Sequence, residues 1–239
     1  MISANIIEIF SSIQGEGKYV GCKQIFIRLA GCNLSCNYCD TNFVKNDFFD
    51  VYKNDCKVKE DNPATIDKVI NIINDLSLKS KIHSISFTGG EPLLQAEFIK
   101  NIAERVDHKI FLETNGTLPK KLKEIINYID IISMDIKLPS ATTVNLFEQH
   151  KQFIEIAKEK DLYIKVVISD DLKEDEFLQA LMTVASVSKD ILFILQPVTP
   201  INGVKPLSVS KILYFQELAS QYLNDVRIIP QTHKILNLL

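Results

Sequence analysis

Three cysteines, Cys32, Cys36 and Cys39, crowd the stretch GCNLSCNYCD, while Cys22 and Cys56 stand apart. Gly31 and the Asn and Ser residues among them favour an irregular loop, one that can wrap a compact object and turn three sulfurs inward. A closed structural zinc site takes four ligands. The nearest further candidates, Cys22, Cys56 and His83, lie far off in sequence, and zinc stays open on spacing alone. An iron–sulfur cube is normally held by four thiolates, so three would leave one iron free to bind a small molecule, as an open catalytic zinc does. The bland alternative is inert buried thiols. Cysteines that serve only as small hydrophobes, however, scatter rather than cluster.

A second segment, FTGGEP (87–92), follows a strand-like run. Its two glycines let backbone approach a ligand closely, Glu91 offers a carboxylate acceptor, and Pro92 can open a helix. Taken alone it is also an ordinary tight strand–helix turn. Arg28 can meet a carboxylate with a charge-assisted bond or simply form a surface ion pair. The Gly-broken run Ile13-Gln14-Gly15-Glu16-Gly17 reads as a ligand-lining segment or as a turn between strands. His233 is a lone histidine, a type more often structural than functional.

These residues need a frame. Short β-branched or aromatic runs recur at 24–30, 83–89, 109–114, 129–137, 162–169, 191–198 and 226–232. Between them lie helical patterns. The segment 64–78 puts Ile66, Val69, Ile70, Ile73 and Leu76 on one face, and 145–160 and 208–223 are periodic in the same way. LKEDE (172–176) reads as an acidic helix N-terminus. Strand–helix repetition implies a parallel sheet with helices outside, either an incomplete barrel or a curved open sheet. In both, ligands sit at the C-terminal strand ends. Residues 41–63 break the rhythm and read as an insertion over one end of the sheet. A chain of 239 residues suits one large α/β domain or two small ones.

With 27 basic and 30 acidic residues the net charge is −3, which gives no bulk electrostatic grip on nucleic acid or anionic lipid. The N-terminus lacks a basic n-region, and no stretch approaches the length of a membrane span. A cytoplasmic protein with reduced thiols is the expectation, which favours a metal or redox site over disulfides.

The C-x3-C-x2-C spacing, with Tyr38 before the last cysteine, resembles the radical S-adenosylmethionine superfamily, and FTGGEP resembles its GGEP segment. That likeness implies an incomplete (β/α)6-type TIM-like barrel and a 4Fe-4S cluster on Cys32, Cys36 and Cys39, with S-adenosylmethionine on the open iron. The cofactor carries the hard chemistry. Within the superfamily, EIFSSIQGEG…CDT (8–41), LETNGT (112–117), SMDIKLPS (133–140), LQPV (195–198) and QTHK near the end resemble the 7-carboxy-7-deazaguanine synthase family. The resemblance covers residue 8 to the end and implies one domain, 1–239, with a cluster loop at 31–41 and an insertion at about 42–63.

The implied reaction is that of a carbon–nitrogen lyase. 6-Carboxy-5,6,7,8-tetrahydropterin loses hydrogen from C6 to an adenosyl radical, its ring contracts, and ammonia leaves, giving the 7-deazapurine (queuosine precursor) 7-carboxy-7-deazaguanine. By resemblance Tyr38, Cys39, Asp40, Gly90, Glu91, Ser133, Met134, Asp135, Lys137, Lys165 and Gln196 bind S-adenosylmethionine, and Thr41 binds Mg2+. On the substrate side stand Ile13, Gln14, Gly15, Glu16, Arg28, Thr88, His233 and Leu239, the last through the terminal carboxylate. The family implies a homodimer and a reductant such as flavodoxin. Two rivals remain. One is a radical activase that installs a glycyl radical on a partner protein. The other is a non-enzymatic iron–sulfur or zinc module.

Overall fold

The computed structural model describes all residues except Met1, 40–42, 54–55, 79, 201–202 and 239. Among the described residues ten strands share one sheet: β1 (Ile6–Ile13), β2 (Lys23–Leu29), β3 (Phe48–Lys53), β4 (Cys56–Asp61), β5 (Ser84–Gly89), β6 (Ile110–Thr114), β7 (Ile131–Asp135), β8 (Asp161–Ile168), β9 (Leu192–Pro197) and β10 (Val226–Ile228). Their order in space is 10-9-8-7-6-5-2-1-3-4. From β2 through β5 to β10 every neighbour is parallel. The connections carry α1 (Ile66–Ser77), α2 (Ala96–Ala103), α3 (Pro119–Ile125), α4 (Phe147–Ala157), α5 (Glu174–Ala185) and α6 (Val209–Ser220). A parallel pair needs such a crossover. The outcome is an incomplete TIM-like barrel whose sheet edges, β10 and β4, do not meet.

Alternation along the strands builds two faces. Ile25, Ile27 and Leu29 of β2, Ile85 and Phe87 of β5, and Leu162, Ile164 and Val166 of β8 turn outward and join the helices in the main core. Full burial of each such side chain is worth about 1.5–3 kcal/mol. The inward face is different. Near the N-terminal strand ends Phe111, Ile131, Tyr163, Leu192 and Ile194 form a separate apolar cluster, with Tyr19 packed on it. Nearer the C-terminal ends the inward residues become polar.

The helices follow local chemistry. Thr65 caps α1 by accepting from the Lys68 N–H at 3.3 Å, and Ser208 caps α6 by accepting from the Lys211 N–H at 3.4 Å. Glu174, Asp175 and Glu176 open α5, where negative charge suits the positive end of the helix. On α1 the fully buried side chains are Ile66, Val69, Ile72 and Ile73. Ile70 and Leu76, expected on that face, are only partly buried beside it.

The stretch read as an insertion over one end of the sheet instead extends the sheet's edge. β3 pairs with β1 in parallel, and β4 pairs back on β3. Phe49 and Val51 are buried in the main core while Phe48, Asp50 and Tyr52 lie on the opposite face, the one that Glu8 and Phe10 of β1 share, a period of two hidden among Lys and Asp. Strand β1, which has no place in the sequence reading, lies antiparallel to β2. Among the described residues no helix is long and apolar enough to cross a membrane.

Candidate active site

At the C-terminal ends of the parallel strands lies a cavity of about 630 Å3, within the usual range for small-molecule sites. Cys32, Cys36, Tyr38 and Cys39 reach it from the loop after β2. Burial pushes the Cys32 and Cys36 thiols up, as it does when no metal takes up the negative charge. Cys22 is half-buried and Cys56 exposed, and neither lines the cavity. Among the described residues no three His, Cys, Asp or Glu side chains are gathered closely enough to share one metal ion. A cluster asks something else, because each thiolate goes to its own iron. Three thiols on one wall of a cavity fit that donor set.

The GGEP turn sits against the loop. A Cβ on Gly90 would run into the Gly31 carbonyl, so only glycine permits this approach. Gly90 lines the cavity. Glu91 departs from the expectation that it faces S-adenosylmethionine, for it is fully buried and does not line the cavity. Its carboxylate accepts from the Leu93 N–H at 3.0 Å, the Thr114 hydroxyl at 2.9 Å and the Asn115 N–H at 2.8 Å. Burial raises it to about 7 in spite of those bonds. In this arrangement the carboxylate caps its own turn and the next strand end.

Strand β7 contributes Ser133 and Asp135, and Lys137 follows. The Met134 side chain, also expected at the cofactor, points outward into the core, because neighbours on a strand face opposite ways. Lys137 lies 3.1 Å from Asp135 and 5.3 Å from the centre of the Tyr38 ring, close enough for a cation–π contact. Burial opposes the Lys137 charge, but Asp135 outweighs it and the ammonium is held. Ser133 Oγ, Asp135 Oδ1 and Gln196 Oε1 are buried on the wall with no partner among the described residues. Buried polar atoms are almost always paired, so these three suit a polar ligand such as S-adenosylmethionine.

The neighbouring strand continues this wall with ion pairs. Lys165, 3% exposed, pairs with Glu16 and lies 3.9 Å from Asp135. Gln231 donates to the other Glu16 oxygen at 2.7 Å. Burial opposes ionisation of Glu16, yet the Lys165 charge and these hydrogen bonds prevail and bring it down to about 2. Arg28 donates from Nε to Glu8 at 2.7 Å and stacks 5.7 Å from the Phe10 ring centre.

Gln14 donates to Gln24 at 3.1 Å and to Glu113 at 2.8 Å, and accepts from the Glu16 N–H at 3.0 Å. Both of its amide hydrogens are thereby used, so its side chain can offer a ligand only an acceptor. Thr88 donates to the other Glu113 oxygen at 2.8 Å. The C-terminal segment closes this side. Thr232 donates its N–H to the Gly15 carbonyl at 2.8 Å, and a Cβ on Gly15 would overlap the His233 ring.

Ile13, Gln14, Gly15, Glu16, Arg28, Thr88, Lys165, Gln196 and His233 all line the cavity. The expected roles of Asp40, Thr41 and Leu239 fall outside the described residues. Sequence reasoning passed over Glu8, Glu113, Asn115 and Gln231, which also line it. LETNGT and QTHK held three of these without marking which side chains turn inward. Glu8 opens the matched stretch EIFSSIQGEG, but as with the others nothing there marks that its side chain turns inward.

The Radical SAM superfamily profile matches residues 26–183, from β2 into α5. The 7-carboxy-7-deazaguanine synthase of Geobacter sulfurreducens is 39% identical, covering 99% of this chain and 98% of that protein. The synthase of Archaeoglobus fulgidus is 38% identical, covering 98% of each. The crystal structure of QueE from Escherichia coli aligns with a TM-score of 0.62 over 98% of this chain and 96% of that one, at 20% identity, and speaks for the fold. The chain belongs to the radical SAM superfamily and, within it, to the family of 7-carboxy-7-deazaguanine synthases. Membership implies a 4Fe-4S cluster and S-adenosylmethionine, and favours the lyase over the glycyl-radical activase.

Proposed function

We propose that the whole chain is one catalytic domain converting 6-carboxy-5,6,7,8-tetrahydropterin to 7-carboxy-7-deazaguanine with loss of ammonia. One observation carries the reading. A single cavity is lined by three thiols together with Arg28, Glu16, Glu113 and His233, which suits a redox cofactor beside a small, polar, carboxylated heterocycle. Cys32, Cys36 and Cys39 hold the cluster, and Tyr38, Gly90, Ser133, Asp135 and Lys137 the S-adenosylmethionine. When bound, these supply reductive radical initiation.

The chain's own residues bind, orient and shield. Arg28, held by Glu8 through Nε, keeps its terminal nitrogens for the substrate carboxylate, a fork that matches two oxygens. Glu113 and Glu16 accept from the N–H edge of the pterin. Thr88 and Gln14 are fixed by Glu113 and so hold a set direction. The apolar cluster around Phe111 and Tyr163 keeps water from entering through the barrel floor. Thr41 offers Mg2+ a hard oxygen, with substrate and water completing the shell. A homodimer, a flavodoxin-like reductant and a cytoplasmic setting complete the reading.

The test is anaerobic. The cluster is reconstituted and reduced, S-adenosylmethionine, Mg2+ and the pterin are added, and 7-carboxy-7-deazaguanine is sought by mass spectrometry. Product that vanishes in Cys36→Ala is the expected result. Intact pterin beside abundant 5′-deoxyadenosine would remove the substrate from the proposal.

A further inference from the structure

Asn33, between the first two cysteines of the loop, is joined to the turn after β6 by a closed ring of side-chain hydrogen bonds. Asn33 Nδ2 donates to Thr117 Oγ1 at 2.8 Å. The Thr117 hydroxyl donates to Asn115 Oδ1 at 2.6 Å. Asn115 Nδ2 donates back to Asn33 Oδ1 at 2.9 Å. Each residue is donor and acceptor once in the ring, an arrangement in which bonds polarise and strengthen one another. The ring spans chain segments 82 and 84 residues apart.

The ring stands on a buried base. Asn115 donates its N–H to Glu91, and the Glu91 N–H donates to the Gly31 carbonyl at 2.9 Å, just before Cys32. His150 lies with Nε2 at 3.1 Å from the Asn115 carbonyl. Burial brings His150 down to about 4, so it is neutral and donates there. Further along the loop, the Asn37 N–H donates to the Ala141 carbonyl at 3.0 Å. Cys36 therefore lies between two pins, one on the turn after β6 and one on the turn after β7.

We propose that the Asn33–Thr117–Asn115 ring is a clasp that presets the cysteine loop, making Asn33 and Thr117 positioning residues for retention of the iron–sulfur cluster. The physical reason is preorganisation. A loop rich in Asn, Ser and Gly loses much conformational freedom when it wraps a cluster, and a loop already held gives up less at that moment. Glu91, buried under the clasp, then serves the cofactor through the loop rather than by contact. The proposal rests on the reading that these cysteines carry a cluster.

The experiment uses the full chain, reconstituted anaerobically. Iron and sulfide per chain are measured, then the rate of cluster loss to a chelator without substrate. Thr117→Val removes the hydroxyl and keeps the shape, Thr117→Ser keeps the hydroxyl, and Asn33→Ala cuts the ring at its exposed member. Thr117→Val and Asn33→Ala should each lose the cluster about tenfold faster than wild type, a size typical of coupled hydrogen-bonded neighbours. The double variant should be no faster than the worse single one, and Thr117→Ser should match wild type. Wild-type rates in both single variants, effects that multiply, or a Thr117→Ser as leaky as the valine would each overturn the clasp. Should Thr117→Val fail to fold, Asn33→Ala decides alone. A wild-type chain that takes up no iron sinks the cluster reading itself, and the clasp with it.

Discussion

The inner wall of the barrel is one surface with two chemistries. At the N-terminal strand ends Phe111, Ile131, Tyr163, Leu192 and Ile194 close on one another. Two residues further along the same strands stand Glu113, Ser133, Lys165 and Gln196, all facing the cavity. The lower layer gains from excluding water and needs no partner. The upper layer consists of groups whose burial is costly unless they are paired, and it is held by Lys165–Glu16, Lys137–Asp135 and Arg28–Glu8. The contrast teaches that one strand can seal a barrel and bind a ligand with successive inward residues. It also implies that the two layers respond differently to mutation and to pH.

The largest expected effect strikes the upper layer. Lys165→Met leaves the mostly buried Glu16 without its cation; loss of one partner of a fully buried pair costs about 3–5 kcal/mol, the upper bound for this cavity-facing pair. Thermal unfolding should show a drop up to that bound, with activity lost as well. A Met variant as stable as wild type would mean that the pair is not what holds this wall.

Acid should weaken the same layer. The folded-state value of Glu16 lies near 2, below its ordinary 4.5. Its contribution is therefore complete above about pH 4.5 and is lost as pH falls toward 2. Between those values the wild type should lose more stability than Glu16→Gln, which has nothing there to titrate. Parallel curves would remove the ion pair from the account.

A smaller effect falls on binding alone. Glu113→Gln keeps size and removes a charge that faces the cavity, so KM for the pterin should rise about tenfold, near the value of one charge-assisted bond. The unfolding temperature should hardly move, since Gln14 can still donate to the amide oxygen and the Thr88 hydroxyl can turn to accept from the new NH2. The smallest effect belongs to the floor. Phe111→Leu shortens an apolar side chain in the plug and should cost about 1 kcal/mol, with KM unchanged. A KM shift equal to that of Glu113→Gln would erase the distinction between the layers.

Much of this architecture can be read before folding. The parallel strands from Lys23–Leu29 to Leu192–Pro197 lie within one or two residues of the apolar runs at 24–30, 83–89, 109–114, 129–137, 162–169 and 191–198, while Val226–Ile228 stops four residues short of the end of the run at 226–232. Branched apolar side chains buried on the outer face leave a mark that needs no partner to be recognised. β1 and the β3–β4 hairpin escaped because their apolar residues alternate with Glu, Ser, Asp and Lys, and such alternation becomes a strand only when a neighbour pairs with it.

The three cysteines, the paired glycines before Glu91 and the QTHK tail were determined by sequence alone, because residue type and spacing suffice to name a donor set or a close backbone approach. Which side chains face the cavity was decided by the tertiary structure. Glu91 turned away into a buried carboxylate cap, Met134 turned out into the core, and Glu8, Glu113 and Gln231 turned in. A strand shows opposite faces to residues one apart, so a shift of one position exchanges wall for core. Only the packing of helices on one side and ion pairs on the other fixes which face is which.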